Sequence, residues 1–160
     1  MPVWYHATYA KRLRNIARLG LQPKKKRSLL RAAPGNVEGI YLTEYDGLPF
    51  WMSRLEEWAD HDSDHPVEDG LVPVALKVFT LCKTKIDPYG SRDAMYRAVT
   101  CPHWIQPGAL RVWNGKKWAK LDDEFDISQG AQWEEDEDFE EGGYFSLIDV
   151  YNSPLLPSHR

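Results

Sequence analysis

His6 stands two residues before Thr8, at the end of a β-prone run, Val3-Trp4-Tyr5-His6. An imidazole there can donate or accept a hydrogen bond, and a hydroxyl beside it can do both. Tyr41 lies in Gly39-Ile40-Tyr41-Leu42-Thr43, and Trp51 follows in Pro49-Phe50-Trp51-Met52-Ser53. Aromatic faces in excess of core needs often line sites that stack on flat ligands. His61, Asp62, Asp64 and His65 form a dense polar cluster, and Cys101 with His103 a second. Neither has the paired spacing of a structural zinc site, so no metal ligand is assigned. The chain has no Gly-x-Ser-x-Gly elbow, no Gly-x-x-x-x-Gly-Lys loop and no Gly-x-Gly-x-x-Gly. The common nucleotide-binding folds are therefore disfavoured, though a nucleotide ligand is not. Each singled-out residue also has a purely structural reading. His6 fits a satisfied core histidine, Tyr41 a core aromatic, and Trp51 the buried face of a helix.

The elements that would position these residues are legible in the spacing. Residues 3–6 predict a strand. Thr8 is then expected to cap a helix with Leu13, Ile16 and Ala17 on one face, closed by Gly20. Residues 39–43 predict a short buried strand. Residues 48–59 predict a helix that buries Leu48, Trp51, Leu55 and Trp58. Strands are expected over 72–81, 96–100 and 110–113. Residues 117–121 are expected to pair with the last of these across Asn114-Gly115, a strong hairpin dipeptide. Residues 144–150 form a final strand or extended tail. No internal repeat is visible. The expected fold is α+β, with helices near the N-terminus and a split mixed β-sheet core.

At 160 residues, with 42% hydrophobic and 28% charged side chains, the chain suits a single globular domain over 1–160. No apolar run approaches the ~18 residues of a membrane span. The first residues lack a charged flank followed by an apolar stretch, so no secretory signal is expected. Cys82 and Cys101 are the only cysteines, which is expected to exclude disulfide scaffolds and four-cysteine zinc sites and makes a reducing, cytoplasmic setting the default. The net charge of −4 hides an asymmetry, because the first 37 residues contain no Asp or Glu. They carry Lys11, Arg12, Arg14, Arg18, Lys24, Lys25, Lys26, Arg27 and Arg31, the pattern of a phosphate-rich partner or of a solvated face. Glu134-Glu135-Asp136-Glu137-Asp138-Phe139-Glu140-Glu141 is its opposite, and residues 130–142 are expected to be a flexible acidic segment. A fold-back of this run onto the basic head, as an internal mimic of nucleic acid, is a rival reading.

The order of three pieces resembles the ADP-ribosyltransferase superfamily, in the branch of the poly(ADP-ribose) polymerases and diphtheria-type toxins. RNA 2′-phosphotransferases share that fold. His6 with Thr8 matches the family's His followed at +2 by Thr or Ser. Gly39 to Thr43 resembles the family's Gly-Ile-Tyr-Phe-Ala, and Trp51 lies nearest the helix aromatic that sandwiches nicotinamide against the motif tyrosine. The likeness covers residues 3–59 well and the rest loosely. It implies NAD as co-substrate, bound by His6, Ala7, Thr8, Gly39, Tyr41 and Trp51. His6 would orient the ribose, Thr8 and backbone beside His6 would bond the amide, and nearby Arg or Lys would take the pyrophosphate. ADP-ribose would pass to a macromolecular acceptor, nucleic acid among the candidates.

One family feature departs. Many members carry a catalytic Glu on a late strand leading into an Ile-x-Pro step. Ile105-Gln106-Pro107 resembles that step, but the matching position falls on Tyr96 and Arg97. These join His6 and Tyr41 as catalytic candidates, with Glu140 or Glu141 as the alternative placement. RNA 2′-phosphotransferase-like chemistry is the second expectation, since members of that branch use Arg and His. A non-catalytic module that binds a nucleotide or a partner is the third.

Overall fold

Val3-Trp4-Tyr5-His6-Ala7-Thr8-Tyr9 is rich in β-branched and aromatic residues, and it forms the central strand, β1 (Val3–Tyr9). The computed structural model describes residues 2–23, 39–86, 98–121 and 156. After β1 come α1 (Leu13–Leu19), β2 (Ile40–Thr43), α2 (Leu48–Asp62), β3 (Pro73–Phe79), β4 (Lys85–Ile86), β5 (Ala98–Cys101), β6 (Leu110–Trp113) and β7 (Trp118–Lys120). The fold is α+β, as the residue pattern implied. The strands form one sheet in the order β4-β5-β2-β1-β3-β6-β7.

β3 explains why its sequence is almost uniformly apolar. Val74, Leu76 and Val78 face one core, shared with Leu13, Ile16 and Ala17 of α1. Ala75 faces a second, with Leu48 and Met52 of α2. A strand covered on both faces loses the polar-apolar alternation. β1 keeps its alternation: Trp4 packs into the α1 core, whereas Tyr5 and Ala7 pack on the α2 side. The Tyr9 hydroxyl donates to the Leu55 carbonyl of α2 at 2.7 Å.

Among the described residues the sheet is single and wholly antiparallel, not split and mixed. The reason lies in α2. It carries the chain from β2 to β3, which run the same way, but β1 lies between them, so no parallel pair forms. The sheet is nonetheless almost divided. β1 and β2 share one register pair, Tyr5↔Thr43. β1 and β3 share seven, and β2 and β5 share four. The weak seam therefore falls between β1 and β2.

Several boundaries differ from the sequence expectations. Thr8 is not a helix cap: it pairs with Val74 in the ladder. Bonds to the β3 side continue past it, from Ala10 N–H to the Val72 carbonyl and from Lys11 N–H to that of Gly70, while the chain turns through a 3₁₀ helix over Ala10–Arg12 and α1 begins at Leu13. The buried line of α2 runs through Leu48, Met52 and Ala59, leaving Trp58 43% exposed, because the contact tracks the small Ala75 of β3 rather than the aromatics. The β6–β7 hairpin forms at Asn114-Gly115, whose Asn114 Oδ1 accepts from Lys116 and Lys117 N–H and whose Gly115 has φ 96°. Residues 24–27, 130–142 and 144–150 lie outside the described residues.

Cys82 and Cys101 are joined in a disulfide, with Cα atoms 6.1 Å apart. This removes the ground on which a reducing compartment was the default. Among the described residues no helix is long and apolar enough to cross a membrane. The bond spans 19 positions, and loop closure of that size is worth about 3 kcal/mol. Reduction, or Cys82→Ser, is expected to lower unfolding free energy by about that amount in denaturant titrations. An unchanged midpoint under reductant would contradict it.

Candidate functional cleft at the β1–β2 seam

The seam opens because the ladder stops. Extending the Tyr5↔Thr43 register would set Ala7 opposite Tyr41, but the pairing ends at the single pair. The His6 side chain takes over: its Nδ1–H donates to the Tyr41 carbonyl at 2.6 Å. A carbonyl lost to the ladder is thereby satisfied. In the neutral ring this bond sets the proton on Nδ1 and makes Nε2 the acceptor nitrogen.

Two glycines set the walls. Gly39 enters β2 with φ 111°, and a Cβ there would lie 2.9 Å from the Cys101 carbonyl oxygen. Gly20 closes α1 with φ 75°, and its Cβ would lie 2.1 Å from the Ile105 carbonyl oxygen. Both positions need glycine for backbone and for space. Beyond Gly20, Leu21 and Ile105 exchange backbone hydrogen bonds of 2.9 and 3.0 Å, tying the end of α1 to the segment before β6.

Between seam and α1 lies a cleft of about 470 Å³, lined by His6, Thr8, Arg12, Asn15, Gly39 and Tyr41 among others. That volume lies within the usual range for small-ligand sites. His6 and Thr8 share its floor because alternate strand residues share a face. Among the described residues Arg12 is its charged group, and no Asp or Glu lines it. Across the seam is a slot of only about 50 Å³, lined by Ala7, Tyr41, Trp51 and Leu55, with His6 on its border. The Tyr41 and Trp51 ring centroids are 5.8 Å apart and tilted by 46°. A flat ring held between two others needs about 7 Å, twice the 3.5 Å contact distance. The expected aromatic sandwich is therefore closed, with the two rings packed on each other and Phe50 edge-on to Trp51 at 5.1 Å.

His6, Ala7, Thr8, Gly39, Tyr41 and Trp51 are thus gathered at one seam but on two faces of the sheet. The His6 and Thr8 side chains lie on the α1 face, whereas the Tyr41 ring packs on Trp51 on the α2 face. His6 therefore meets the Tyr41 carbonyl and not its ring, and the expected single cleft for both side chains is not formed. Tyr96, Arg97, Glu140 and Glu141 lie outside the described residues. Arg12, Asn15 and Gly20 were not singled out for the site from sequence. The first two have no motif, and Gly20 signalled only a helix end. Burial raises the Tyr5 phenol above its ordinary 10.0, and Tyr45 adds to the rise. Tyr9 is raised by burial and then by Asp62, against a lowering by Arg12. Both stay protonated donors at neutral pH. No group of three or more His, Cys, Asp or Glu among the described residues is placed to hold a metal. His61 and Asp62 are exposed at the end of α2, and Cys101 is committed to its disulfide.

Compared with known proteins, the chain matches no family model, no curated protein and no solved structure.

Gly20→Ala is expected to destabilise the fold by at least about 2 kcal/mol, since backbone on both sides must move. Gly39→Ala should act in the same direction. Thermal unfolding of the two variants checks this, and a wild-type Tm for Gly20→Ala would contradict the tight crossing at Ile105.

Proposed function

We propose that the chain is an NAD⁺-dependent ADP-ribosyltransferase-like enzyme whose site is the cleft at the β1–β2 seam. The observation that carries this is the 2.6 Å bond from the His6 side chain to the Tyr41 backbone carbonyl across the seam, at the floor of a 470 Å³ cleft. The reading takes the narrowing of the single sheet to one β1–β2 register pair as its counterpart of the split sheet shared by poly(ADP-ribose) polymerases, diphtheria-type toxins and RNA 2′-phosphotransferases.

The lining suits a dinucleotide. His6 Nε2 accepts from a ribose hydroxyl, with the ring fixed by its Nδ1–H bond. Thr8 offers a hydroxyl on the same face, and Gly39 lines the wall beside it. Arg12 takes pyrophosphate charge. Tyr41 offers a ring face on the slot side once Trp51 turns aside, and the two then grip a cationic ring. When bound, NAD⁺ supplies an ADP-ribosyl group: the ribose C1′–nicotinamide bond breaks with its electrons going to the ring nitrogen, and C1′ bonds an acceptor atom whose proton passes to water. Tyr96 and Arg97 remain the proposed further catalytic pair.

The cationic lining without a described carboxylate favours one second reading, RNA 2′-phosphotransferase-like chemistry in the same cleft. Labelled NAD⁺ incubated with the protein and cell extract separates the two. Nicotinamide release and label transfer are expected. A 2′-phosphorylated RNA that loses its phosphate only when NAD⁺ is present selects the second reading. His6→Ala and Tyr41→Ala should each cost on the order of 10²-fold in rate, as loss of a positioning contact does. The stability cost of His6→Ala should stay at ~1–2 kcal/mol. If neither NAD⁺ binding nor nicotinamide release occurs, a non-catalytic binding module is left.

A further inference from the structure

Trp104 is 56% exposed, and Leu19 beside it is 48% exposed. Both sit at the rim of the cleft, for Leu19 and Gly20 line it and the Trp104 Nε1–H donates to the Leu19 carbonyl at 2.6 Å. That bond satisfies the polar edge of the indole and fixes the ring without burying it. A core role does not account for a ring so exposed, and a rigid open aromatic at a cleft mouth is suited to stacking. The exposed charges of the described N-terminal segment are of one sign. Residues 2–23 contain no acid, and Lys11, Arg12 and Arg18 are exposed there while Arg14 is buried. Arg12 lines the cleft, and Arg18 is exposed in the last turn of α1, one residue before Leu19.

We infer that Trp104 is a stacking platform for a nucleobase of a single-stranded nucleic acid, with Arg12 and Arg18 taking its phosphates. Aromatic faces interleaved with cations are how single strands are held without sequence readout. The platform lies at the mouth of the cleft, so a stacked strand is presented to it. That the strand is the acceptor of the transfer rests on the function proposed above. An acidic protein partner would need the charges but not the open ring.

Fluorescence anisotropy of labelled single-stranded DNA and RNA of about ten nucleotides, with the full chain at low salt, tests this. Binding is expected for at least one of the two, and the two arms show which sugar is preferred. Affinity should fall with rising salt. Trp104→Ala should weaken binding about tenfold or more, and Trp104→Phe should stay within about threefold, because phenylalanine keeps the face and loses only the N–H. Equal losses in Ala and Phe would mean that the bond to Leu19 matters and not stacking, which overturns the inference. So would absence of oligonucleotide binding, unchanged binding by Trp104→Ala, or equal competition by a polyglutamate peptide. Calorimetry with NAD⁺ keeps the two proposals apart. NAD⁺ binding without oligonucleotide binding sinks the platform alone. Oligonucleotide binding that depends on the ring, without NAD⁺ binding, leaves the platform standing and removes the transferase.

Discussion

Where the backbone ladder between β1 and β2 gives out, a side chain holds the two strands together: His6 Nδ1–H on the Tyr41 carbonyl, at 2.6 Å. A continued ladder would have closed the sheet and left no space on either side. A single pair, Tyr5↔Thr43, lets the halves diverge instead. The cleft under α1 and the slot beside α2 both open at that divergence, and His6 and Tyr41 line both. One hydrogen bond contributes only about 1 kcal/mol net, so it cannot by itself set the geometry. The halves are held mainly by burial on either side, with Ile40 and Leu42 of β2 sharing a core with Leu76 and Val78 of β3.

The walls of the cleft are stiffened from outside it. The close crossing of Gly20 over Ile105 and the exchanged bonds of Leu21 pin the end of α1. Gly39 lets β2 start hard against Cys101, which is itself fixed by the bond to Cys82 and pairs with Ile40. The groups that meet at the seam thus stand on elements anchored in the core, the condition for holding a ligand without large rearrangement. The slot is the exception. Tyr41 and Trp51 rest on each other, and a ligand ring gains access only by displacing Trp51 from Phe50 and Tyr41.

Much of this was legible in the residues. The strand runs at 3–6, 39–43, 72–81 and 110–113 and the Asn114-Gly115 turn appear within a few positions of their expected bounds, since β-branched and aromatic runs between turn residues carry a local signal. Thr8 was misread because a capping residue and a strand threonine look alike until the partner, Val74, is known. Trp58 was misread because helical spacing marks a face but not the size of what it meets. The narrow seam had no local signal at all, since strand pairing is non-local. The same holds for the placement of Arg12 and Asn15 in the cleft and for the link from Trp104 to Leu19. The two cysteines gave a count and not a pairing. Their apposition depends on β4 and β5 being neighbours at the sheet edge.

The central claim is that the divergence of β1 and β2 is a nucleotide site. The most direct measurement is an NMR titration of the ¹⁵N-labelled chain with NAD⁺ up to about 1 mM, the weak end of specific affinity. Saturable shifts should concentrate at the imidazole nitrogens of His6 and the amides of Thr8, Asn15, Gly39, Ile40 and Tyr41, with the β6–β7 hairpin little changed. No saturable shift, or shifts centred on the hairpin with the seam unperturbed, would contradict it.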